Sequence, residues 1–361
     1  MFEPARAVNC SLREGRLSTW VESNKPRRNA LRRCVRCVLP ETFPGIRFDG
    51  EGVCNYCLRA LAPEQREARR TRLRERFQEL VEKVRGRGDY ECLMSWSGGK
   101  DSTYTLALLK EDFGLRILAF TFDNGFVSPR ACQNMRRVGE ALVVDHIIFK
   151  LRFDLLRRIF RASMSPDFYP LKARERASNI CTSCMSLAKG MALQLALDRG
   201  IPLIAYGWSP GQVPLPSAIF RLTSPMARSM IQAATAPLRE VAGNEIAPYF
   251  PEEEEVMGSK RLPCNVSPLA FLIYDEGRIY ERIKALGWEM PVDTDPNSTN
   301  CLLNAFANEV HRTQMGYHPY VLELAQLVRQ GHLSRGEALR RLSQPTDEGV
   351  IKRVKAELGV T

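Results

Sequence analysis

Short apolar segments alternate with longer helical segments between residues 90 and 206 of this chain. The apolar segments are 90–96, 115–122, 146–149 and 202–206, and helical character is found in 102–109, 132–142 and 187–198. Strands that alternate with helices are typical of a parallel sheet covered by helices on both faces. We therefore predict an α/β fold built on a doubly wound parallel sheet. Ligands of such sheets bind beyond the carboxyl ends of the strands.

A glycine-containing motif follows the first predicted strand and opens the first helix. It reads Ser97-Gly98-Gly99-Lys100-Asp101-Ser102. The glycines let the backbone approach phosphate oxygens, and the amides at the helix start attract an anion. Lys100 adds a positive charge, and Asp101, which would repel bare phosphate, is a predicted Mg²⁺ ligand. The alternative interpretation is a glycine turn with a serine helix cap.

The residue order of this motif matches neither Gly-x-x-x-x-Gly-Lys-[Ser/Thr] nor Gly-x-Gly-x-x-Gly, the two common nucleotide-binding patterns. It resembles the phosphate loop of the PP-loop, or adenine nucleotide α-hydrolase, superfamily of Rossmann-like (HUP) folds. That resemblance implies that ATP is cleaved between its α and β phosphates to AMP and pyrophosphate. We predict that the whole motif binds the nucleotide, with catalytic residues Lys100, Asp101 and Ser102.

Two later strand ends carry further candidate nucleotide contacts. Asp123 lies in Phe120-Thr121-Phe122-Asp123-Asn124-Gly125, at the end of the second predicted strand. In the PP-loop group this strand end faces the nucleotide, although an aspartate before Asn-Gly also forms turns. Gly207 follows the strand 202–206, where it would allow close approach to a ligand or form a plain turn.

Two cysteine pairs near the N-terminus have the spacing of a metal site. Cys34-x-x-Cys37 is followed, after 16 residues, by Cys54-x-x-Cys57. Four thiolates at this spacing are typical of a closed tetrahedral zinc site, which folds a segment too short for its own core. We predict structural Zn²⁺ here; iron in the same ligands and four buried free thiols are the alternatives.

The same segment resembles the opening of the N-acetyl sugar amidotransferases. The matching residues run from Arg36-Cys37-Val38-Leu39-Pro40-Glu41-Thr42-Phe43-Pro44-Gly45-Ile46 to Gly52-Val53-Cys54-Asn55-Tyr56-Cys57, and a looser match covers Leu333-Ser334-Arg335-Gly336-Glu337-Ala338-Leu339. The resemblance implies adenylation of an amide oxygen on an N-acetyl sugar or nucleotide-sugar of surface polysaccharide, followed by displacement with ammonia. It also implies a separate glutaminase or ammonia-channel partner.

A third cysteine pair, Cys181-x-x-Cys184, is predicted to precede a helix, and Cys301 follows much later. This layout resembles the tRNA thiolation enzymes of the PP-loop superfamily, in which three such cysteines hold a [4Fe–4S] cluster with one open iron. Carried over by position, the ligands are Cys181, Cys184 and Cys301, and Cys264 competes for the third place. A persulfide relay, a second structural metal and an inert pair are the alternatives. Cys92 and Cys132 are interpreted as apolar core residues.

Two enzymatic functions therefore share the adenylation step and differ in the nucleophile that follows. The main prediction is an amidotransferase that acts on an anionic sugar substrate; the alternative is a sulfurtransferase that acts on tRNA or a small molecule. A nucleotide sensor without turnover is a third interpretation. The net charge of +11 favours an anionic partner without choosing among them. We interpret the arginine-rich run 66–76 as a solvated helix face, with tRNA contact as the alternative.

The predicted organisation has seven parts. They are a disordered leader (1–30), the zinc knuckle (31–60), a linker helix (61–88), the ATP-binding domain (89–212), an insertion or cover (213–262), the rest of the catalytic domain (263–319) and C-terminal helices (320–361). No apolar run is long enough to span a membrane, and the 11 cysteines, an odd number, suit a reducing compartment. We expect a cytoplasmic protein without membrane contact.

Overall fold

The structure is a computed structural model that describes residues 31–259, 261–295 and 297–360; the predicted leader lies outside the described residues. The strands are β1 (Cys92–Ser95), β2 (Ile117–Asp123), β3 (Asp145–Lys150), β4 (Leu203–Tyr206), β5 (Ile219–Arg221) and β6 (Cys264–Val266). The helices before β4 are α1 (Asn55–Leu58), α2 (Pro63–Val84), α3 (Lys100–Ala107), α4 (Pro129–Leu142), α5 (Phe153–Ala162), α6 (Leu171–Arg174) and α7 (Asn179–Asp198). Those after β4 are α8 (Ser224–Ala242), α9 (Glu253–Gly258), α10 (Glu276–Ala285), α11 (Leu303–Met315), α12 (Val321–Arg329), α13 (Arg335–Ser343) and α14 (Glu348–Leu358).

The six strands form one sheet in the order β3-β2-β1-β4-β6-β5. All neighbouring pairs are parallel except β5 and β6, which are antiparallel. The chain builds the sheet outward from β1 through β2 to β3 and then crosses to the other side of β1 to form β4. The gap between the ends of β1 and β4 is therefore the topological switch point, where ligands of such sheets bind. This arrangement confirms the predicted doubly wound α/β fold.

Apolar side chains are buried on both faces of the sheet, as a fully covered parallel sheet requires. Met94 points into one core, with Phe77 of α2 and Val321 of α12, and Leu93 points into the other, with Leu187 of α7. Successive residues of β1 thus face opposite cores, which follows from the two-residue period of a strand. The C-terminal helices complete the core on both sides, so the predicted C-terminal helical segment is confirmed.

Helix α7 starts earlier than predicted, at Asn179 rather than near 187. The Ser178 hydroxyl caps it by accepting a hydrogen bond from the Cys181 amide at 3.1 Å. Cys181 and Cys184 therefore lie in the first turns of the helix and not before it. The helix is long and apolar enough to cross a membrane, yet it contacts β1, β2, β4 and α8, as the core helix of a soluble domain does.

The segment 213–262, predicted as an insertion or cover, contributes β5 to the sheet edge and helix α8 to its surroundings. Three of the four glutamates of its acidic run, residues 252–255, form the first half of helix α9. Three glutamates in the first turn of α9 favour the helix, because negative charge at a helix N-terminus interacts well with the helix dipole. The domain boundaries given above stay predictions.

Candidate functional site

The predicted phosphate loop connects β1 to α3 at the switch point of the sheet. Gly98 has a φ of +77°, a conformation that a residue with a side chain rarely adopts. Its carbonyl accepts a hydrogen bond of 3.1 Å from the indole nitrogen of Trp288. The first helical bond runs from the Thr103 amide to the Gly99 carbonyl at 2.9 Å. The backbone amides of residues 100–102 donate no hydrogen bond within the helix. Such amides at a helix N-terminus are the groups that bind anions.

Gly207 packs directly against this loop from the end of β4. A Cβ atom on Gly207 would lie 2.3 Å from the Cα atom of Ser102, far inside contact distance. The role of Gly207 in this structure is thus close packing of two backbones. Ser102 is buried, and its hydroxyl lies 3.0 Å from the hydroxyl of Ser97.

Lys100 is buried and is surrounded by acidic groups. Its Nζ atom lies 2.7 Å from Asp101 Oδ1, 3.3 Å from Glu276 Oε1 and 3.1 Å from the Tyr274 hydroxyl. Burial opposes the charged form, but the negative charge of Asp101 and Glu276 raises the pKa of Lys100 well above its ordinary value. Two carboxylates from different elements therefore converge on one positive charge, as they would on a metal ion.

Glu276 is held ionised on its other side by a C-terminal helix. Its Oε2 atom accepts a hydrogen bond of 2.6 Å from Arg341 of α13. Burial alone would raise the pKa of Glu276, but the hydrogen bond from Arg341 and the charge of Lys100 lower it to about 2. The sequence interpretation missed both residues, because they come from segments distant from the motif.

A cavity of about 230 Å³ opens beside the phosphate loop. Lys100, Asp101 and Thr299 line one side, and the wall opposite includes Tyr320 and Glu323 from the region of α12. The other lining residues are Tyr274, Glu276, Tyr280, Asn297, Leu324, Leu327, Glu337, Arg341 and Gln344. The loop thus faces an open, polar space that is bounded by the C-terminal helices.

Glu323 is a half-buried residue in this wall that the sequence interpretation did not select. Its Oε1 atom accepts a hydrogen bond of 2.6 Å from the hydroxyl of Ser209, in the loop after β4. Burial raises the pKa of Glu323 to about 7, although the hydrogen bond from Ser209 lowers it in part. No local sequence pattern distinguishes Glu323 from a surface glutamate of an amphipathic helix.

Asp123 forms a turn at the end of β2. Its Oδ1 atom accepts a hydrogen bond of 2.8 Å from the Gly125 amide, and its Oδ2 atom lies 3.5 Å from Lys150 Nζ. The carboxylate is thus engaged by the turn and by a lysine of β3. The contact of Asp123 with a nucleotide stays a prediction. The side chain of the neighbouring Asn124 lies beside Cys184 and Cys301 instead.

The side chains of Cys181, Cys184 and Cys301, here called the cysteine trio, come together beside Asn124. The Nδ2 atom of Asn124 lies 3.4 Å from the sulfur of Cys184 and 3.5 Å from that of Cys301. The sulfur of Cys181 lies 3.7 Å from Nδ2 of Asn304 in α11. The competing residue, Cys264, begins β6 at the opposite, amino end of the parallel strands and hydrogen-bonds a β5 carbonyl. Cys301 is therefore the third member.

The cysteine trio is spaced differently from the N-terminal cysteines. Among the described residues, one set of three or more His, Cys, Asp or Glu residues has ligand atoms all within 4.8 Å of one another, and that set is the N-terminal group. A wider spacing suits a polynuclear cluster better than a single ion, because each thiolate then binds a different iron. Burial raises the pKa of Cys181 to about 11 and also raises those of Cys184 and Cys301, so these groups favour the neutral thiol form when no cation is bound beside them.

One short segment, residues 299–301, connects the phosphate loop to the cysteine trio. The hydroxyl of Thr299 accepts a hydrogen bond of 2.9 Å from the Lys100 amide, and Cys301 pairs with Val127 in an antiparallel bridge. The Ser128 amide donates to the Asn300 carbonyl at 2.8 Å. The strap 299–301 therefore holds the third cysteine at a fixed short distance from the loop.

The N-terminal cysteines form a compact buried group. The sulfur atoms of Cys34 and Cys57 are 3.8 Å apart and those of Cys37 and Cys54 are 3.7 Å apart. A single tetrahedral ion with metal–sulfur bonds of about 2.3 Å requires sulfur separations of about 3.8 Å. The four residues thus fit one metal ion. Arg335 of α13 donates three hydrogen bonds of 2.9–3.2 Å to the carbonyls of Cys34 and Cys37.

The arginines of α2 divide between two faces of the helix. Arg66, Arg70 and Arg74, spaced four residues apart, donate hydrogen bonds to residues 329–332 and 271 of the protein body. The other arginines of the run, at positions 69, 72 and 76, are exposed. The interpretation of the whole run as a solvated helix face is therefore wrong for Arg66, Arg70 and Arg74. A spacing of four residues places the three bound arginines on one face of the helix, so the sequence itself separates them from the exposed arginines.

No protein-family model matches the chain. An uncharacterized protein of Methanocaldococcus jannaschii is 26% identical over 318 residues, which cover 87% of this chain and 94% of that protein.

Among solved structures, the U34-tRNA thiolase NcsA from Methanococcus maripaludis with its [4Fe-4S] cluster is similar at 14% identity and a TM-score of 0.37, covering 92% of this chain and 89% of that one. NMN synthetase from Francisella tularensis is similar at 13% identity and a TM-score of 0.35, covering 84% and 98%. At these identities and scores, neither similarity decides the function of this chain.

Proposed function

We propose that this chain is a PP-loop ATP-dependent sulfurtransferase that adenylates a carbonyl oxygen and replaces it with sulfur delivered at the cysteine trio. The observation that carries the proposal is the strap: Thr299 touches the phosphate loop and Cys301, two residues later, completes the trio. An amidotransferase that converts an N-acetyl amide to an amidine needs the first of these contacts but has no use for three clustered cysteines beside it. The amidotransferase prediction therefore becomes the second choice.

The nucleotide would bind with its phosphates at the amides of residues 100–102. Lys100 would turn from the carboxylates to a phosphate oxygen, since its side chain is the positive charge nearest the loop. Asp101 and Glu276, which converge on Lys100 Nζ at 2.7 and 3.3 Å, would then be free to hold Mg²⁺. The exchange of one cation for another keeps the buried carboxylates neutralised.

The proposed reaction has two steps. The acceptor oxygen attacks the α-phosphorus of ATP and pyrophosphate leaves. A sulfur nucleophile at the oxidation level of sulfide then attacks the carbon, and AMP departs with the original oxygen. The sum is C=O, ATP and H₂S giving C=S, AMP and pyrophosphate. Positioning and neutralisation of charge at the loop would contribute most of the rate.

We assign the trio to an iron–sulfur cluster, which Cys181, Cys184 and Cys301 would hold. A [4Fe–4S] cluster bound there by three cysteines would supply one iron without a protein ligand, to which an inorganic sulfur ligand could bind. Asn124 and Asn304 contribute amide hydrogens toward the sulfur atoms of the trio. Such hydrogen bonds favour the negative thiolate form that binds iron. An active protein that contains no iron would instead support the alternative of a persulfide on one of the cysteines.

We also propose Zn²⁺ as the ion of the N-terminal group and tRNA as the acceptor. A closed set of four buried cysteines leaves no open position, which suits a structural ion. The net charge of +11 and the exposed arginines of α2 suit a polyanion better than a small sugar.

Anaerobic purification followed by iron, zinc and sulfide analysis tests the proposal. The expected protein is brown, and Cys181→Ala loses its iron and its thiolation of tRNA while keeping zinc. Cys132→Ala is the matched control, because Cys132, interpreted from sequence as a core residue, is exposed on α4. Asp101→Ala should abolish AMP formation. A colourless protein that contains zinc alone and transfers nitrogen would favour the amidotransferase instead.

A further inference from the structure

Tyr320 lies between the cavity beside the phosphate loop and the cysteine trio, whose residues do not themselves line the cavity. Tyr320 lines the cavity, and the charges of Glu323, Cys181 and Cys301 all act on its hydroxyl, whose pKa burial raises well above its ordinary value. Glu323 lies one helical turn further along α12 and lines the same cavity as Lys100. A substrate in this space would have the loop on one side and the sulfur source on the other. Glu323 would face it directly.

The proposed reaction needs a proton acceptor if the activated carbonyl belongs to a lactam, the –NH–C(=O)– unit of many nucleobases. Adenylation of the lactam oxygen leaves a cationic ring unless the N–H proton departs. Attack by sulfide and loss of AMP then restore the C=S bond, and the ring nitrogen takes a proton back. One group that takes a proton and returns it serves both steps.

We propose that Glu323 takes the N–H proton of a lactam base of RNA during adenylation and returns it when sulfur has replaced oxygen. This inference rests on the proposed sulfur transfer and adds to it the substrate class and a proton-transfer residue. The carboxylate gains the proton in the first step and loses it in the second. It therefore ends each turnover as it began, and no further reactant is needed.

The surroundings of Glu323 suit this role. Its carboxyl group is faced by Ser209 from the loop after β4, by Lys100 and Asp101 from α3, by Glu276 from α10 and by Tyr320 of its own region. Burial, Asp101 and Glu276 favour the protonated form, and Ser209 and Lys100 favour the ionised form. The balance leaves its pKa at about 7, so both forms are available near neutral pH, which proton transfer requires.

Three variants test the proposal, with unmodified tRNA transcripts, ATP and sodium sulfide as the probes. Glu323→Gln keeps the shape of the side chain but cannot accept a proton, so thiolation should fall by roughly 100-fold or more. ATP binding should be unchanged or tighter, because one carboxylate fewer faces the triphosphate. Glu348→Gln, at an exposed glutamate of α14, is the matched control and should react like the wild type.

The pH profile separates proton transfer from a structural role. The wild-type rate should rise with pH through the pKa of Glu323, and this limb should vanish in Glu323→Gln. Ser209→Ala removes a hydrogen bond that favours ionised Glu323, so the limb should move to higher pH by roughly one unit. This second variant keeps the test decisive if Glu323→Gln does not fold.

The inference is overturned if the wild type thiolates RNA while Glu323→Gln keeps more than a tenth of the rate or the same pH limb. An unmoved limb in Ser209→Ala overturns it as well. A wild-type protein that forms neither AMP nor thiolated RNA, by contrast, removes the proposed function and the inference with it.

Discussion

The backbone of Gly207 lies against the first turn of α3, at the point where β1 and β4 diverge. Its position leaves no room for a side chain, since even a Cβ atom would overlap with Ser102. The backbone contact between Gly207 and Ser102 positions the phosphate loop relative to the sheet. A single methyl group there would push the loop amides away from the place where a triphosphate must bind.

We predict that Gly207→Ala weakens ATP binding by at least about tenfold, because loss of one or two well-placed charge-assisted hydrogen bonds has roughly this effect. Isothermal titration calorimetry measures it. Gly258→Ala is the control, since a Cβ atom at Gly258 would meet nothing within 4 Å. Equal ATP affinity in the two variants would contradict the packing argument.

Single residues of the site were predictable where they lie next to each other in sequence. The six-residue motif carries its own context, a strand before it and a helix after it, so its placement followed from local pattern. Glu276 and Glu323 come from helices far along the chain, and nothing near them in sequence marks them as site residues. Their role arises only when α10 and α12 pack against α3, which is a tertiary effect.

Among the helices, α2 depends on one row of arginines to attach it to the C-terminal region. Arg70 donates a 2.8 Å hydrogen bond to Gln330 and lies 2.9 Å from His332, and burial lowers its pKa. Arg69, its neighbour, is exposed. The helix therefore has a bound face and a free face that differ in their effect on stability.

Arg70→Ala should lower the free energy of unfolding by about 1–3 kcal/mol, because it removes hydrogen bonds from a partly buried cation and leaves their partners unpaired. Arg69→Ala should change it by less than about 0.5 kcal/mol. Urea unfolding followed by circular dichroism gives both values. If the exposed arginines contact RNA, Arg69→Ala should instead weaken RNA binding, most clearly at low salt.

The start of α7 is the helix boundary that matters most for function, and the sequence interpretation missed it. The pattern of apolar residues becomes regular only near residue 187, because the first two turns carry polar residues and the cysteines. Ser178 was a visible cap signal that would have moved the boundary back. With it, the two cysteines of the pair would have been placed one turn apart on a helix face.

Across the whole molecule, all four histidines are held neutral by burial. Burial lowers the pKa of His146, His318 and His332 to about 4 and that of His311 to about 3. In the unfolded chain these groups titrate near 6.5. Between these values the unfolded state binds more protons than the folded state, so stability falls as the pH decreases.

We therefore predict that the protein loses stability steeply between pH 6.5 and 4.5. One fully buried histidine contributes roughly 2 kcal/mol by pH 5. His311→Phe should flatten the slope of stability against pH over this interval, whatever its effect at pH 8. Thermal unfolding at a series of pH values tests this, and an unchanged slope would refute the assignment to His311.

The N-terminal cysteine group is connected to the surroundings of the phosphate loop through α13. Arg335 at the start of this helix holds two carbonyls of the group, and Arg341, two turns later, holds Glu276 beside Lys100. We predict that Cys37→Ser loses zinc and weakens ATP binding several-fold, because a four-cysteine site depends on its ion for folding. Cys132→Ser is the control. Unchanged ATP affinity in a zinc-free Cys37→Ser protein would show that the two regions are independent.

The contact between Thr299 and the Lys100 amide has a consequence for the order of events during turnover. That amide is one of the donors that an arriving triphosphate requires, and the Thr299 hydroxyl already occupies it. In the proposed reaction, ATP displaces the Thr299 hydroxyl from this amide, and the displacement is transmitted to Cys301, two residues further along the chain. Under the proposed function, nucleotide binding and the position of the third cluster ligand are thereby coupled, so that sulfur transfer follows nucleotide binding.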